Sequence, residues 1–465
     1  MQRALCKCRF GPSSVNIRAE VALGALLFIA ISAQALQLPS PRAGWRTGVY
    51  AVDADDGTVV ADMRSDQLFR PASTVKLVTT LLALETLGPD FVYETAIEAD
   101  TSSGTVYLVG AGSPLLEEDD IRRAAVETAG SLDPGRQWLV AWDSGCFEDS
   151  THPPGWERAD WGRTYCPPIE ALSFGGNLVE VVVSSVGGRV RVMEYPGLPG
   201  VPVTSSVGIG NGSIASSITG WEDGQGSISI SGSIPAGSTR SLWLPIPGAS
   251  AEFAMLFAGD LGDLGLEVSG VIRQEAPSDP GLLTASVIRS RPLWQILGEM
   301  NKWSINGIAE LVLRAVSLEA CGEPAGTAAG CQMAGELILD LVPGAGDMVL
   351  ADGSGLSRLD RLSPRVLAEV VVAGMSSTEW GPEFLASLPV NGVDGTLETR
   401  LADLPPGSFR GKTGSLSDTS TLAGLLTTSS GRRIAVAVMT EVPAGQVFAA
   451  RAWQDDLVRA IYAAL

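Results

Sequence analysis

Between Arg70 and Leu84 the chain reads Arg-Pro-Ala-Ser-Thr-Val-Lys and then Leu-Val-Thr-Thr-Leu-Leu-Ala-Leu. A helix built from the second stretch is apolar on nearly every side, so it belongs inside a domain. Pro71 stands just ahead of it and Gly88 just past it, as helix start and stop signals require. Ser73 and Lys76 are three apart and share one face of the first turn, at the positive end of the helix dipole. A serine hydroxyl is a weak nucleophile until a neighbouring base takes its proton. An amine in a dry pocket can be that base, because burial lowers its pKa toward neutrality. The same spacing also suits a helix-capping serine beside a lysine that snorkels to solvent.

Lysine usage separates these two readings. The chain holds only four lysines, Lys7, Lys76, Lys302 and Lys412; every other basic residue is arginine. Arginine meets any need for surface charge, but it cannot lose its proton in a protein, whereas lysine can. A lysine kept against that bias, beside a serine, points to chemistry.

Residues 1–35 read as a secretory signal. Basic residues come first, an apolar run from Val21 to Ile31 follows, and Ala33-Gln34-Ala35 supplies a small-x-small cleavage site. The run is short for a membrane span, and no later stretch is long and apolar enough to be one. The formal net charge of the whole chain is −20. So acidic a chain repels nucleic acid and anionic lipid, so neither is expected as a partner.

Beyond the leader there are four cysteines, Cys146, Cys166, Cys321 and Cys331. An even number in an exported chain suggests disulfides. Proximity along the chain favours Cys146–Cys166 and Cys321–Cys331. There is no Cys-x-x-Cys, and His152 is the single histidine. A histidine-rich metal site is therefore impossible, and His152, beside Pro153-Pro154, reads as a surface or packing residue. No metal or organic cofactor is implied. The base of any serine mechanism must be something other than histidine.

Val49–Asp53 and Thr58–Asp62 form a hairpin around Ala54-Asp55-Asp56-Gly57. After Phe91 alternation sets in, followed by a helix near Glu117–Ala129 and a strand at Trp138–Trp142. Val179–Met193 is a hairpin through Gly187-Gly188, and residues 200–236 are rich in Gly and Ser with short alternating runs such as Ser227–Ile234. Gln274–Gly281, with two prolines, reads as a linker out of this region. Helices return over Leu293–Met300 and Ile308–Ser317. Phe409–Gly414, Leu422–Thr427 and Ile434–Thr440 are three strands, and Phe448–Leu465 a closing amphipathic helix. These patterns predict a mixed α/β (α+β) fold. One antiparallel sheet is supplied by both ends of the chain, near 36–95 and 286–465, and an inserted domain near 96–285 carries a nested β subdomain near 182–245.

Two more clusters join Ser73-x-x-Lys76. Ser304-Ile305-Asn306 follows Lys302 at a helix junction, and Gly411-Lys412-Thr413-Gly414-Ser415 lies on a predicted strand, where Lys412 and Gly414 face the same way and Gly414 lets a substrate backbone lie alongside. The order Ser-x-x-Lys, Ser-x-Asn, Lys-Thr-Gly resembles that of the penicillin-binding proteins and serine β-lactamases. The closer resemblance is to the D-Ala-D-Ala carboxypeptidase/endopeptidase family of low-molecular-mass penicillin-binding proteins, the penicillin-binding protein 4 or peptidase S13 type. Asp143-Ser144-Gly145-Cys146-Phe147, Asp352-Gly353-Ser354-Gly355-Leu356-Ser357-Arg358 and Val393-Asp394-Gly395-Thr396-Leu397 resemble that family too, as does the long gap between Lys76 and Ser304.

The resemblance implies a penicillin-binding-protein/serine β-lactamase-like transpeptidase domain, and a serine DD-peptidase exported to the periplasm or cell envelope. It would act on peptidoglycan stem peptides and be blocked by β-lactams. Ser73 would be acylated and Lys76 would be its base. Ser304 and Asn306 would relay protons and hold the substrate amide. Lys412 and Thr413 would bind the substrate carboxylate, with Gly414 beside them. The N–H groups of Ser73 and Ser415 would form the oxyanion hole. Arg358 and Asp143 are candidates for contacts to the stem, and equally for a structural ion pair and a turn. Lys302 would shape the Ser304 loop. A serine β-lactamase is the nearest alternative, but no Glu-x-x-Leu-Asn is present and the insert is large for one. A catalytically silent wall-binding protein is the other.

Overall fold

The computed structural model describes residues 38–465 apart from 149, 222–225, 279–280, 323 and 343–344; the leader expected over 1–35 lies outside the described residues. The chain opens with β1 (Arg46–Asp53) and β2 (Val59–Met63), a 3-10 turn at Ala72–Val75, and helix α1 (Lys76–Leu87). Next come β3 (Glu94–Asp100), β4 (Thr105–Val109), α2 (Glu118–Ala129) and β5 (Gln137–Asp143). Six strands follow: β6 (Leu178–Val186), β7 (Arg189–Tyr195), β8 (Val203–Ile209), β9 (Ile214–Thr219), β10 (Ser227–Ile234) and β11 (Thr239–Pro245). Then α3 (Ala249–Asp263), β12 (Glu267–Arg273) and β13 (Leu283–Arg289) lead into five helices, α4 (Leu293–Lys302), α5 (Asn306–Cys321), α6 (Thr327–Leu341), α7 (Pro364–Ser376) and α8 (Gly381–Ser387). The chain ends with β14 (Phe409–Leu416), β15 (Thr419–Thr427), β16 (Arg433–Glu441) and α9 (Val447–Ala464).

The first sheet has the order β14-β15-β16-β1-β2 and is antiparallel throughout. Val49 faces Val438 and Tyr50 faces Ala437, so the two ends of the chain meet as neighbouring strands. Both faces of this sheet are covered, which explains why β16 is almost continuously apolar rather than alternating. Val49, Ala51, Val436 and Val438 point to α9, with Trp453, Leu457 and Ile461. Tyr50, Val52, Ala435 and Ala437 point the other way, into a core filled by α1, α4, α5, α6 and α7. Helix α1 runs through the middle of that core; Leu77, Val78, Leu81, Leu82 and Leu84 are all buried, as its all-round apolar pattern requires.

The second sheet has the order β12-β5-β4-β3-β13. It packs with α2 and α3 around a separate apolar cluster that includes Val106, Trp138, Phe253 and Phe257. Two three-stranded sheets, β11-β6-β7 and β8-β10-β9, extend it and share that cluster through Val181, Val183, Ile228 and Ile230. The segment Gln274–Gly281, expected as a linker, joins β12 to β13, two strands of this same sheet. Prolines and acidic residues mark a loop, and composition cannot say whether a loop leads to a new domain or to the next strand. The chain leaves after Arg289, where Ser290 accepts the Tyr93 N–H and returns its own N–H to the Tyr93 carbonyl.

Neither expected disulfide forms, because Cys166 and Cys331 are free, buried thiols. Cys331 faces the main core from α6 beside Met333 and Ala334. Cys146 donates its S–H to the Gly110 carbonyl at 3.0 Å. Closeness in sequence says nothing about which way each thiol points, and here Cys166 and Cys331 serve as small apolar core groups. His152 is buried and stacks on Trp161 at 3.9 Å between ring centroids. Burial, aided by Arg314, pulls its pKa down to about 4, so it packs as a neutral ring. Among the described residues, no helix is long and apolar enough to cross a membrane.

Candidate active site

Ser73 sits in the 3-10 turn and Lys76 opens α1. The turn brings their side chains together: Lys76 Nζ lies 3.2 Å from Ser73 Oγ. The ammonium is fully buried, at 0 % exposure. It also donates to Asn306 Oδ1 at 2.7 Å and to the Ser354 carbonyl at 2.7 Å. Asn306 is held the right way round by Nδ2, which donates to the Tyr165 carbonyl at 2.8 Å. No carboxylate pairs with Lys76 within ion-pair distance among the described residues. Burial therefore dominates and lowers its pKa to about 8, against a weaker upward pull from Asp352, Glu310 and Asp360.

Lys412, on β14, is equally buried. It donates to Ser304 Oγ at 2.9 Å and to the Thr413 carbonyl at 2.9 Å. Burial and the neighbouring Lys76 hold it well below the usual lysine range. Ser304 is presented by a left-handed backbone, φ +59°, between α4 and α5. Such a conformation in a non-glycine residue carries strain that the surrounding packing must hold. Lys302 helps to hold it, with Nζ 2.8 Å from Asp394 Oδ2.

Gly414 is required by close packing around Ser73 itself. A Cβ there would run into Thr421 Oγ1 and come within 2.9 Å of the Pro71 carbonyl and 3.0 Å of the Ser73 nitrogen. Ser73, Ser304, Thr413 and Ser415 line one cavity of about 670 Å³, with Thr396 and Arg451 across from them. Ser73, Lys76, Ser304, Asn306, Lys412, Thr413, Gly414 and Ser415 are thus one cluster. Arg358 and Asp143 are not brought to that cavity. Arg358 pairs with Glu157 at 2.5 Å and with Asp418 at 3.7 Å. The Asp143 carboxylate accepts the N–H groups of Gly145 and Ala276.

Sequence reasoning assigned no role to the acidic floor under Lys76. Asp352 accepts five hydrogen bonds: from the N–H groups of Ser354, Gly355 and Ser357, from Ser354 Oγ and from Trp156 Nε1. These fold residues 352–357 into the tight turn that hands the Ser354 carbonyl to Lys76. Glu310 lies one helical turn after Asn306, buried, and accepts the Gly353 N–H at 3.0 Å. Burial first, then Asp352, pushes its pKa up to about 8. Glu310 and Arg314, one turn apart inside the apolar run Ile308–Val316, were the available signal.

An antiparallel sheet between helical layers, with a serine and a lysine on the first turn of a central helix, defines the penicillin-binding-protein and β-lactamase-like class of fold. Penicillin-binding protein 4 (dacB) of Haemophilus influenzae superposes with a TM-score of 0.79 at 22% identity, covering 90% of this chain and 96% of that one. The same protein complexed with a β-lactam superposes at 0.74, with 21% identity and the same coverage. Among sequence relatives, the D-alanyl-D-alanine carboxypeptidase of Actinomadura sp. strain R39 is 29% identical over 415 residues, which is 81% of this chain and 74% of that protein. The chain belongs to the D-Ala-D-Ala carboxypeptidase 3 (S13) family, whose model matches residues 29–461. It is by that membership a serine-type carboxypeptidase.

Proposed function

We propose that the protein is an exported serine DD-peptidase that cleaves the terminal D-Ala-D-Ala bond, or a D-Ala cross-link, of peptidoglycan stem peptides through an acyl-enzyme on Ser73, and that penicillins block it by the same acylation. The observation that carries this reading is the 3.2 Å contact between Ser73 Oγ and a fully buried Lys76 Nζ. A neutral amine has two N–H donors and one lone pair, whereas an ammonium has three donors. The two short contacts, to Asn306 Oδ1 and the Ser354 carbonyl, are to groups that can only accept. A neutral Lys76 spends both N–H bonds there and is left with its lone pair facing the Ser73 hydroxyl.

In this reading Ser73 Oγ attacks the carbonyl carbon of the penultimate D-Ala while its proton passes to Lys76. The N–H groups of Ser73 and Ser415 receive the developing oxyanion. The C–N bond breaks, and the leaving amine takes a proton through Ser304, whose Oγ is polarised by Lys412. Water then attacks the Ser73 ester, and the same groups carry protons in the reverse sense. The reading divides the chain into a catalytic domain near 36–95 and 286–465 and an insert near 96–285; the separate apolar clusters of the two sheets support it. The leader at 1–35 and a cell-wall substrate support export. The test is incubation with purified muropeptides and mass analysis of the products. Loss of one alanine from pentapeptide stems, or splitting of cross-linked dimers, supports the reading; intact muropeptides after long incubation contradict it.

A further inference from the structure

The cavity at Ser73 holds three arginines, and they are not equivalent. Arg400 is buried and gives Nε to Asp455 at 2.6 Å and an Nη to Gln454 at 3.0 Å. Arg459 gives Nε and one Nη to Asp403 at 2.7 and 2.9 Å, and its other Nη to Asp456 at 2.9 Å. Both are therefore neutralised by carboxylates. Arg451, on the first turns of α9, meets no carboxylate within ion-pair distance among the described residues. Its Nη2 instead donates to Ser415 Oγ at 3.2 Å, a neutral and exposed hydroxyl on the Lys-Thr-Gly strand. Its guanidinium also lies over the Phe448 ring, 5.3 Å from the centroid. In a chain with a net charge of −20, an arginine that meets a hydroxyl and an aromatic face at the mouth of a serine site stands ready for an anion that comes and goes.

We infer that Arg451 reads the free carboxylate of the leaving D-amino acid, so that it, together with Thr413 and Ser415, confines the enzyme to peptides that end in a carboxylate. The inference rests on Ser73 as the acylated residue. The leaving residue's carboxylate lies one residue beyond the scissile bond, about 3.5 Å further along an extended chain. From Ser73 that step runs along β14, where Thr413, Ser415 and Arg451 all line the same cavity. Lys412 is poorly suited to the task alone. Its nitrogen is fully buried and occupied by Ser304 and the Thr413 carbonyl, and a second lysine sits close by. A guanidinium keeps its charge whatever its surroundings and matches a carboxylate with two parallel N–H bonds. The cavity, at about 670 Å³, is larger than a terminal alanine fills, so the same cation can meet the free carboxylate of a bulkier leaving residue.

The experiment compares N-acyl-D-Ala-D-Ala with its C-terminal carboxamide as substrates for the parent, Arg451→Gln and Arg451→Lys proteins, with circular dichroism to verify folding. The ratio of kcat/KM for carboxylate over carboxamide should fall by about 10- to 100-fold in Arg451→Gln, from the carboxylate substrate alone, since a charged hydrogen bond is worth that much. Arg451→Lys should retain part of the ratio. An unchanged ratio, or an equal fall on both substrates, overturns the inference. Benzylpenicillin, with intact mass and peptide mapping of the parent protein, serves as the control. Its adduct on parental Ser73 leaves the inference to be judged on the ratio alone. Absence of that adduct from the parent overturns the Ser73 reading and this inference with it.

Discussion

The pH dependence of acylation follows from how Lys76 is buried. At its ordinary pKa of 10.5, a lysine is neutral in about three molecules in ten thousand at pH 7. Lowered to about 8, it is neutral in about one in ten, a gain of roughly 300-fold in usable base. Only the neutral form can accept the Ser73 proton. The second-order rate of acylation by benzylpenicillin should therefore rise about tenfold per pH unit up to about 8 and level off above it. Lys76→Arg retains a cation that cannot deprotonate, and should slow acylation by about 10²- to 10⁴-fold at every pH. The larger guanidinium also crowds a pocket with no open space, costing about 1–3 kcal/mol of stability, so rates are compared per folded molecule. Lys302→Arg is the control, because a surface ion pair to Asp394 suits either side chain. The assay is stopped-flow or quenched labelling with a fluorescent penicillin from pH 6 to 10. A rate that is flat across that range, or a Lys76→Arg protein that acylates as fast as the parent, refutes Lys76 as the base.

Other substitutions probe the supports of the site. Gly414→Ala should slow acylation and cost about 1–3 kcal/mol, because its Cβ presses on the Pro71 carbonyl and the Ser73 nitrogen; the labelling rate and a urea midpoint check this. Trp156→Phe removes the 2.8 Å bond to the buried Asp352 carboxylate and should cost about 1.5–3 kcal/mol in urea unfolding. Glu310, whose folded pKa is raised to about 8, contributes stability that is fully present below pH 4.5 and is lost as pH climbs to 8. Glu310→Gln should remove that loss, on the order of 5 kcal/mol at full ionisation, so the parent should lose thermal stability more steeply than the variant between pH 5 and 8.

The first sheet was readable because its strands keep simple patterns: a turn-closed hairpin at Val49–Asp62 and two largely apolar runs near the end of the chain, preceded by the Lys-Thr-Gly stretch. The central helix was readable for the same reason, with Pro71 and Gly88 at its ends. What stayed hidden depends on contacts distant in sequence. Asp352 opens a stretch noticed for its resemblance but given no role, yet its carboxylate gathers a turn, the distant Trp156 and the carbonyl that Lys76 needs. Arg451 lies in an amphipathic helix where one more arginine carries no signal, and only the fold sets it against Ser415. Asp143 and Arg358 stood out as members of familiar stretches, and their carboxylate and guanidinium are engaged in a turn and in ion pairs. The thiols were misread because an even count of cysteines speaks to compartment and not to geometry. Helices α6, α7 and α8 were missed, although α7 opens on a readable start signal, Ser363 capping the Val366 N–H with Pro364 at the first helical position.

The most direct test of the central claim is covalent. The protein is incubated with benzylpenicillin, weighed intact, digested and mapped. The account predicts one penicilloyl group per chain, carried by the peptide that contains Ser73, and no adduct on a folded Ser73→Ala protein. An adduct on any other residue, or labelling that persists in Ser73→Ala, would contradict it.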